Sequence, residues 1–469
     1  MPNRHSLCVH AHFYQPTRED PFTGIIPIEQ GAHPYSNWNE RIYQTCYKPN
    51  AELGNFARIS FNIGPTLSKW LRQNHTGVFE KIVLSDRQNL ERFGVGNAMA
   101  QPYHHTILPL GKRRDKQTQI RWGIYEFEQT FKHKPQGMWL PETAVDQETL
   151  EVLVENGIEF TILAPWQAEV KNVDPHKAYQ VILPGHKSIQ VFFYHSGLSA
   201  RVSFDPHATM NADAFARNFV KPEFTAGEAS QWLMIATDGE LYGHHQIFRD
   251  KFLSYLLDGS ISAQHIETVY PGLQLTQQKV FPVIKVRDNT SWSCHHGVLR
   301  WSSVCACTPN SDWKKPLREA LERISDEVDK LFVASCNGIL ENVWEARDRY
   351  IEVFSGDQKF ADWVRKMSDA QMTDEKIKQL DQLFQAELDC QRMFTSCGWF
   401  FDDLDRIEPR NAVLYGAHAV WLTRQFAAFD LSAEVSPLLE KSKSWRINLS
   451  ALDIFNEVML RFEQGQKPS

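Results

Sequence analysis

Over the first 290 residues or so, short β-rich apolar runs alternate with longer amphipathic stretches, and the chemically useful side chains stand where the apolar runs stop. Residues 7–9 run straight into His10-Ala11-His12, and residues 59–63 into Gly64-Pro65 with a helix-like Leu67, Trp70 and Leu71. Residues 137–140 lead to Pro141-Glu142, then to a helix opened by Asp146 and closed at Asn156-Gly157. Residues 158–163, 189–194 and 232–236 read as further buried strands. A strand–polar residue–helix repeat predicts an α/β fold. Such folds build their active sites at the carboxyl ends of the strands. His10, Glu142, His195 and Asp238 all fall at such ends.

The texture changes after about residue 310. Leu317, Leu321, Ile324, Val328 and Leu331 follow a 4-3-4-3 spacing, and Ile377, Leu380, Leu383, Phe384 and Leu388 do much the same. These are the core stripes of amphipathic helices. The expected organisation is therefore an α/β part over 1–290 and a helical part over 291–469, joined compactly near 285–315. Residues 464–469 read as a frayed end.

Charge narrows the partners. With 50 Lys and Arg against 57 Asp and Glu, the net charge is −7, so neither nucleic acid nor an anionic membrane is expected to bind. There is no run of 18 apolar residues and no apolar signal core, which predicts a soluble, cytoplasmic chain. Cysteines number 8, with Cys8 and Cys336 in apolar surroundings, the pattern of reduced thiols rather than a disulfide framework. The 14 Trp suit stacking on sugar rings as well as the filling of a large core.

Four motifs carry chemistry. In Trp139-Leu140-Pro141-Glu142 a carboxylate directly follows an apolar strand, where it can act as a nucleophile at a sugar's anomeric carbon or simply favour the dipole of the next helix. Residues 236–245 place Asp238, Glu240, His244 and His245 in one loop with Gly239 and Gly243, and Asp238, nearest the strand end, is the candidate proton donor. In His10-Ala11-His12-Phe13-Tyr14-Gln15-Pro16 the two histidines share a strand face, suited to sugar hydroxyls or, with a third ligand from His104, His105 or His195, to zinc. Trp292-Ser293-Cys294-His295-His296 with Cys305-Ala306-Cys307 could form a soft-metal cluster, but the spacing departs from paired CxxC, so these read first as packing residues at the junction of the two parts, with metal binding by Cys294, Cys305 and Cys307 left open.

Together these motifs resemble glycoside hydrolase family 57. The resemblance rests on residues 10–16, on Trp139 to Glu142, and on Thr237-Asp238-Gly239-Glu240 with Gly243-His244. The remainder resembles a helical extension found in one subgroup of that family, through residues 291–294, His296-Gly297, Trp301, Cys305, Cys307 and the run Cys397 to Asp403. The resemblance implies an incomplete (β/α)7 barrel, followed by a helical domain completing the cleft, and a retaining reaction on α-linked glucans of amylase, glucanotransferase or branching type. Glu142 would be the nucleophile and Asp238 the general acid/base. Substrate-binding residues would be His10, His12, Tyr14, Gln15, His104, Trp139, His195, Glu240, His244, Trp399, Asp402 and Asp403, with Trp166 also shaping the subsites. No cofactor or metal is implied, and the partner is an oligo- or polysaccharide. Tyr103-His104-His105-Thr106 departs in character from the family's second motif. The alternatives are a zinc-dependent deacetylase-like barrel using His10, His12 and another His with Asp238 as base, or a carbohydrate-binding or regulatory barrel without turnover.

Overall fold

In the computed structural model, which describes residues 5–20, 22–225, 230–368 and 371–465, strand β1 (His5–Phe13) is the hub of the α/β part. It pairs in parallel with β2 (Ser60–Ile63) and with β7 (Gln231–Asp238), while β3 (Ala98–Met99) lies beyond β2 and β8 (Ile266–Thr268) pairs with the start of β1. A second sheet joins β4 (Phe160–Leu163) in parallel to β6 (Ser188–Phe193), which forms an antiparallel pair with β5 (Ala178–Ile182).

The two sheets meet along residues 137–139. Trp139 N–H donates to Ala100 O at 2.8 Å, and Met138 N–H donates to Phe160 O at 3.1 Å. At the other edge a single backbone bond, His195 N–H to Met234 O at 2.7 Å, links the end of β6 to β7. The parallel order is thus β7-β1-β2-β3-(137–139)-β4-β6, a ring of short segments with no continuous ladder between β6 and β7. This is the incomplete barrel.

Parallel strands are covered on both sides, hence their near-continuous apolar runs. Leu7, Cys8, Val9 and Ala11 are all essentially inaccessible to solvent. Alternate residues fill the interior: Cys8, Met99, Ile162, Phe192, Trp232, Met234 and Ala236 belong to one apolar cluster. Following β1 and β7 in register toward their carboxyl ends, Cys8 sits opposite Met234, His10 opposite Ala236 and His12 opposite Asp238. One face of the strand pair therefore turns from apolar to ionisable within five residues. That change of side chain along a fixed face is what creates a site.

Contacts within the chain divide it into two units: Met1–Gln15, Pro27–Tyr103 and Glu126–Ser293 form the first, and Pro16–Ile26, His104–Tyr125 and Cys294–Ser469 the second. The second is helical, built on Lys314–Cys336, Asp374–Arg392, Ile407–Thr423, Leu431–Lys441 and Ala451–Glu463. Leu317, Leu321, Ile324 and Val328 are buried as their spacing predicts, with Phe332 taking the last core position beside a half-exposed Leu331.

Specific bonds recruit the two early segments into this unit. Arg18 pairs with Glu408 at 3.1 Å, and Asp115 joins Glu387 on the buried guanidinium of Arg347, each at 2.9 Å. Nothing in the local periodicity of those segments announced this. Among the described residues no helix is long and apolar enough to cross a membrane. Of the end expected to fray, residues 466–469 lie outside the described residues.

Candidate active site

Glu142 is placed by a strained turn. Its φ is +57°, and that of Thr143 is +48°, left-handed values that non-glycine residues adopt at a cost of about 1–3 kcal/mol each. The surroundings hold the turn there. Thr143 and the buried Gln167 exchange two hydrogen bonds, of 2.9 and 2.8 Å, and Trp292 N–H donates to Glu142 O at 3.0 Å. The carboxylate itself is oriented by Trp292 Nε1–H at 3.1 Å and Ser293 O–H at 2.6 Å, both donating to Oε2. Two donors on one oxygen suit an ionised, accepting carboxylate.

Asp238 ends β7 opposite His12. Withdrawal from bulk water, reinforced by the charges of Glu240 and Glu142, pushes its pKa up to about 8. The side chain keeps surface open to solvent, which works against complete desolvation. The upward direction nevertheless follows from two like charges acting in a hollow walled by protein. Of the two carboxyls that flank this site, one is thus held as an acceptor and the other favours its proton.

Glu240 supports the arrangement. Its Oε1 accepts from Tyr47 O–H at 2.7 Å and from Tyr14 N–H at 3.3 Å, and Gln15 also donates to the carboxylate. Burial raises its pKa to about 7. Gly239 allows the close approach this requires, since a Cβ there would lie 2.3 Å from the Phe13 ring.

The two histidines of β1 are buried and neutral, with pKa values lowered chiefly by burial to about 3 for His10 and about 4 for His12. Their tautomers follow from the bonds around them. Ser60 O–H lies 2.9 Å from His10 Nδ1, and His10 Nε2 lies 3.3 Å from Asn62 Oδ1. The Asn62 amide nitrogen then donates to His12 Nδ1 at 2.9 Å and to Gln101 Oε1 at 2.7 Å. His12 thus stands beside Asp238 on the strand pair with its Nδ1 engaged by Asn62. Both ring nitrogens of His10 are committed, so it has no lone pair to offer a metal.

Trp139 departs from the expected sugar platform. It is wholly buried, stacked by His10 and His12 with ring centres 4.7 and 5.1 Å away. Trp292 meets its edge at 5.1 Å and stays half-buried, beside Tyr194. Trp166 is 43% exposed, its indole N–H tied to Ser291 O at 3.0 Å. Trp166 and Trp292 keep part of their ring surface exposed. Tyr14 stacks on His12 at 6.1 Å.

Other expected site residues are engaged elsewhere. His195 caps helix Ser196–Phe204 through Leu198 N–H and pairs with Glu223 at 3.1 Å. His244 bonds Thr45 at 3.1 Å and lies edge-on to Trp38, with its pKa lowered to about 4 by burial. His104, Trp399, Asp402 and Asp403 belong to the second unit and are satisfied within it. His104 bonds Gln119 through both its ring and its backbone. Trp399 is fully buried against Trp313, with its indole N–H on Met393 O. Asp402 pairs with Arg446 at 2.5 Å, and the buried Asp403 accepts from Leu404 N–H, Ser444 O–H and Trp445 N–H. A tryptophan with no open face is no platform for a sugar.

The sequence did not single out Ser60, Asn62 and Tyr47, and it marked Trp292 and Ser293 as part of a cysteine-bearing motif without a role at Glu142. The available signal was parity: Ser60 and Asn62 are polar at alternating positions of an otherwise apolar strand, and polar residues on a buried face need partners.

Glu142 and Asp238 thus stand at the carboxyl edge of a ring of parallel strand segments. The sequence profile of glycosyl hydrolase family 57 matches residues 7–286, and the chain belongs to that family. Residues 310–460 match a domain of unknown function, DUF3536.

Alpha-amylase 1 of Dictyoglomus thermophilum is 23% identical over 389 residues, 78% of this chain and 52% of that protein, so the chain spans about half the length of this relative. Among solved structures, the exo-type maltose-forming amylase of Pyrococcus sp. ST04 superposes with a TM-score of 0.70 at 16% identity, covering 98% of this chain and 84% of that one. The family 57 branching enzyme of Pyrococcus horikoshii gives 0.62 at 16% identity, covering 96% of each chain. At such identities the likeness is one of fold.

Proposed function

We propose that the protein is a retaining glycoside hydrolase or glucan transferase acting on α-linked glucans. Glu142 attacks the anomeric carbon while Asp238 gives its proton to the departing glycosidic oxygen. A covalent glycosyl ester on Glu142 results. Asp238, now ionised, takes a proton from water or from a sugar hydroxyl as that oxygen attacks the anomeric carbon, and the bond to Glu142 breaks to release its carboxylate. His12 and Tyr14 border the reacting sugar, and Trp292 and Trp166 offer faces for stacking.

The observation that carries this reading is the asymmetry of the two carboxyls. Trp292 and Ser293 donate to one, while the other has its pKa raised by burial and by its acidic neighbours. The zinc-dependent alternative needs lone pairs from His10 that Ser60 and Asn62 already occupy.

Glu142→Gln and Asp238→Asn should each lower kcat on maltooligosaccharides by at least about 100-fold with the fold intact by circular dichroism. Near-normal turnover in either variant sinks the assignment. Longer as well as shorter products would identify transfer, and shorter ones alone hydrolysis.

A further inference from the structure

The four side chains read from sequence as packing residues turn to a single point. Sγ of Cys294, Cys305 and Cys307 and a ring nitrogen of His296 all lie within 4.8 Å of one another. Cys294 Sγ is 3.5 Å from Cys305 Sγ, and His296 Nδ1 is 3.4 Å from the sulfurs of Cys305 and Cys307. We propose that these four residues bind one tetrahedral divalent metal ion, zinc by the chemistry of the donors, in a closed structural site.

Size supports a single ion. A zinc–thiolate bond of about 2.3 Å at tetrahedral angles sets sulfurs about 3.8 Å apart, close to the spacings here and within their 4.8 Å limit. An iron–sulfur cluster holds ligands on different irons farther apart. Three soft thiolates and one imidazole are a zinc ligand set, and four protein ligands leave no open position for catalysis.

The local backbone is shaped for it. Gly297, at φ +73°, turns the chain just after His296, and its N–H donates to Cys294 O at 3.1 Å. The turn Cys305 to Thr308 closes on itself at 2.8 Å, and Ser311 Oγ accepts from Cys305 N–H. His296 N–H points at the Cys294 sulfur, the kind of outer bond that orients a metal thiolate. Three thiolates around a divalent ion leave one negative charge. The buried Lys314, which donates to Arg300 O at 3.0 Å, lies near enough to Cys294 and Cys305 for their charges to act on it.

The site supplies a need. Between residues 294 and 313 the regular structure is one short turn, Leu299–Trp301, yet Trp301 is fully buried. A bound ion would fix this stretch. Ser293, which donates to Glu142, is the residue next to Cys294 in the chain.

Protein purified under reducing conditions without added metal should carry stoichiometric zinc by elemental analysis. Cys294→Ser and Cys307→Ser should lose it, whereas Cys390→Ser, in helix Asp374–Arg392, should keep it. Should the variants not fold, zinc released from the wild type by a mercurial and read with a colorimetric chelator decides the matter. Cobalt exchange should give the thiolate-to-metal charge-transfer and intense visible bands of a tetrahedral site. Metal-free protein, a Cys294–Cys305 disulfide in a peptide map, or an iron–sulfur absorption spectrum overturns the proposal. None of these measurements uses a glucan, so failure here is separate from failure of the catalytic assignment.

Discussion

Two clusters of metal-type ligands in this chain make opposite use of similar residues. At the carboxyl end of β1, His10 and His12 sit on one strand face, the arrangement in which a metal pair is commonly built. Yet Ser60 and Asn62 engage both nitrogens of His10 and one of His12, and burial keeps both rings neutral. In the second unit, Cys294, His296, Cys305 and Cys307 come from irregular chain, and their donor atoms point at one another. A ligand set is decided by what already occupies each lone pair, and residue type or spacing reveals this only in part.

The largest contrast is expected from removing one member of each cluster. Cys294→Ser should strip the ion and lower Tm by on the order of 5 °C or more, because binding energy at a structural site is folding energy. Asn62→Ala should leave metal content unchanged and reduce kcat/KM about 100-fold, since it takes a hydrogen-bond partner from each of two buried histidines. If Asn62→Ala loses metal, or Cys294→Ser keeps it, the contrast fails.

Ser293→Ala tests the residue at the seam between the two chemistries. Losing one hydrogen bond to a charged oxygen should lower kcat about tenfold, with zinc and Tm near wild type. A rise in KM alone would mean that Ser293 serves binding rather than the nucleophile.

The smallest effect is on pH dependence. Asp238 must carry a proton in the first step, so kcat/KM should fall as pH rises through its pKa of about 8. The same shift bears on stability. Its folded-state pKa lies above the ordinary carboxylate value of about 4, so the favourable contribution of the protonated form is full below that value and is lost as pH rises through about 8. Asp238→Asn should therefore be inactive but hold its Tm between pH 5 and 9 better than the wild type, a comparison differential scanning fluorimetry can make. An equal decline in both proteins would remove Asp238 from the account.

Much of the barrel could be read along the chain. Strand ends at His10–His12, Glu142 and Asp238 are marked by an apolar run meeting a polar residue, a local signal. The stripe from Leu317 to Val328 is equally local and is buried as written. What could not be read are matters of partnership. Residues 16–26 and 104–125 fold with the helical unit through Arg18–Glu408 and Asp115–Arg347, contacts spanning more than 200 residues of chain. Trp139, Trp399 and His195 looked like binding residues by composition and neighbourhood, but two are fully buried and the third caps a helix.

The sequence by itself determined the α/β-then-helical order and the two carboxylates placed at strand ends, because hydrophobic periodicity and strand termini are properties of neighbouring residues. Only the tertiary structure decided which donors are spent and which converge. Hydrogen-bond saturation and the direction of a lone pair depend on atoms brought together from distant parts of the chain, as Asn62 is to His12 and Cys305 to Cys294.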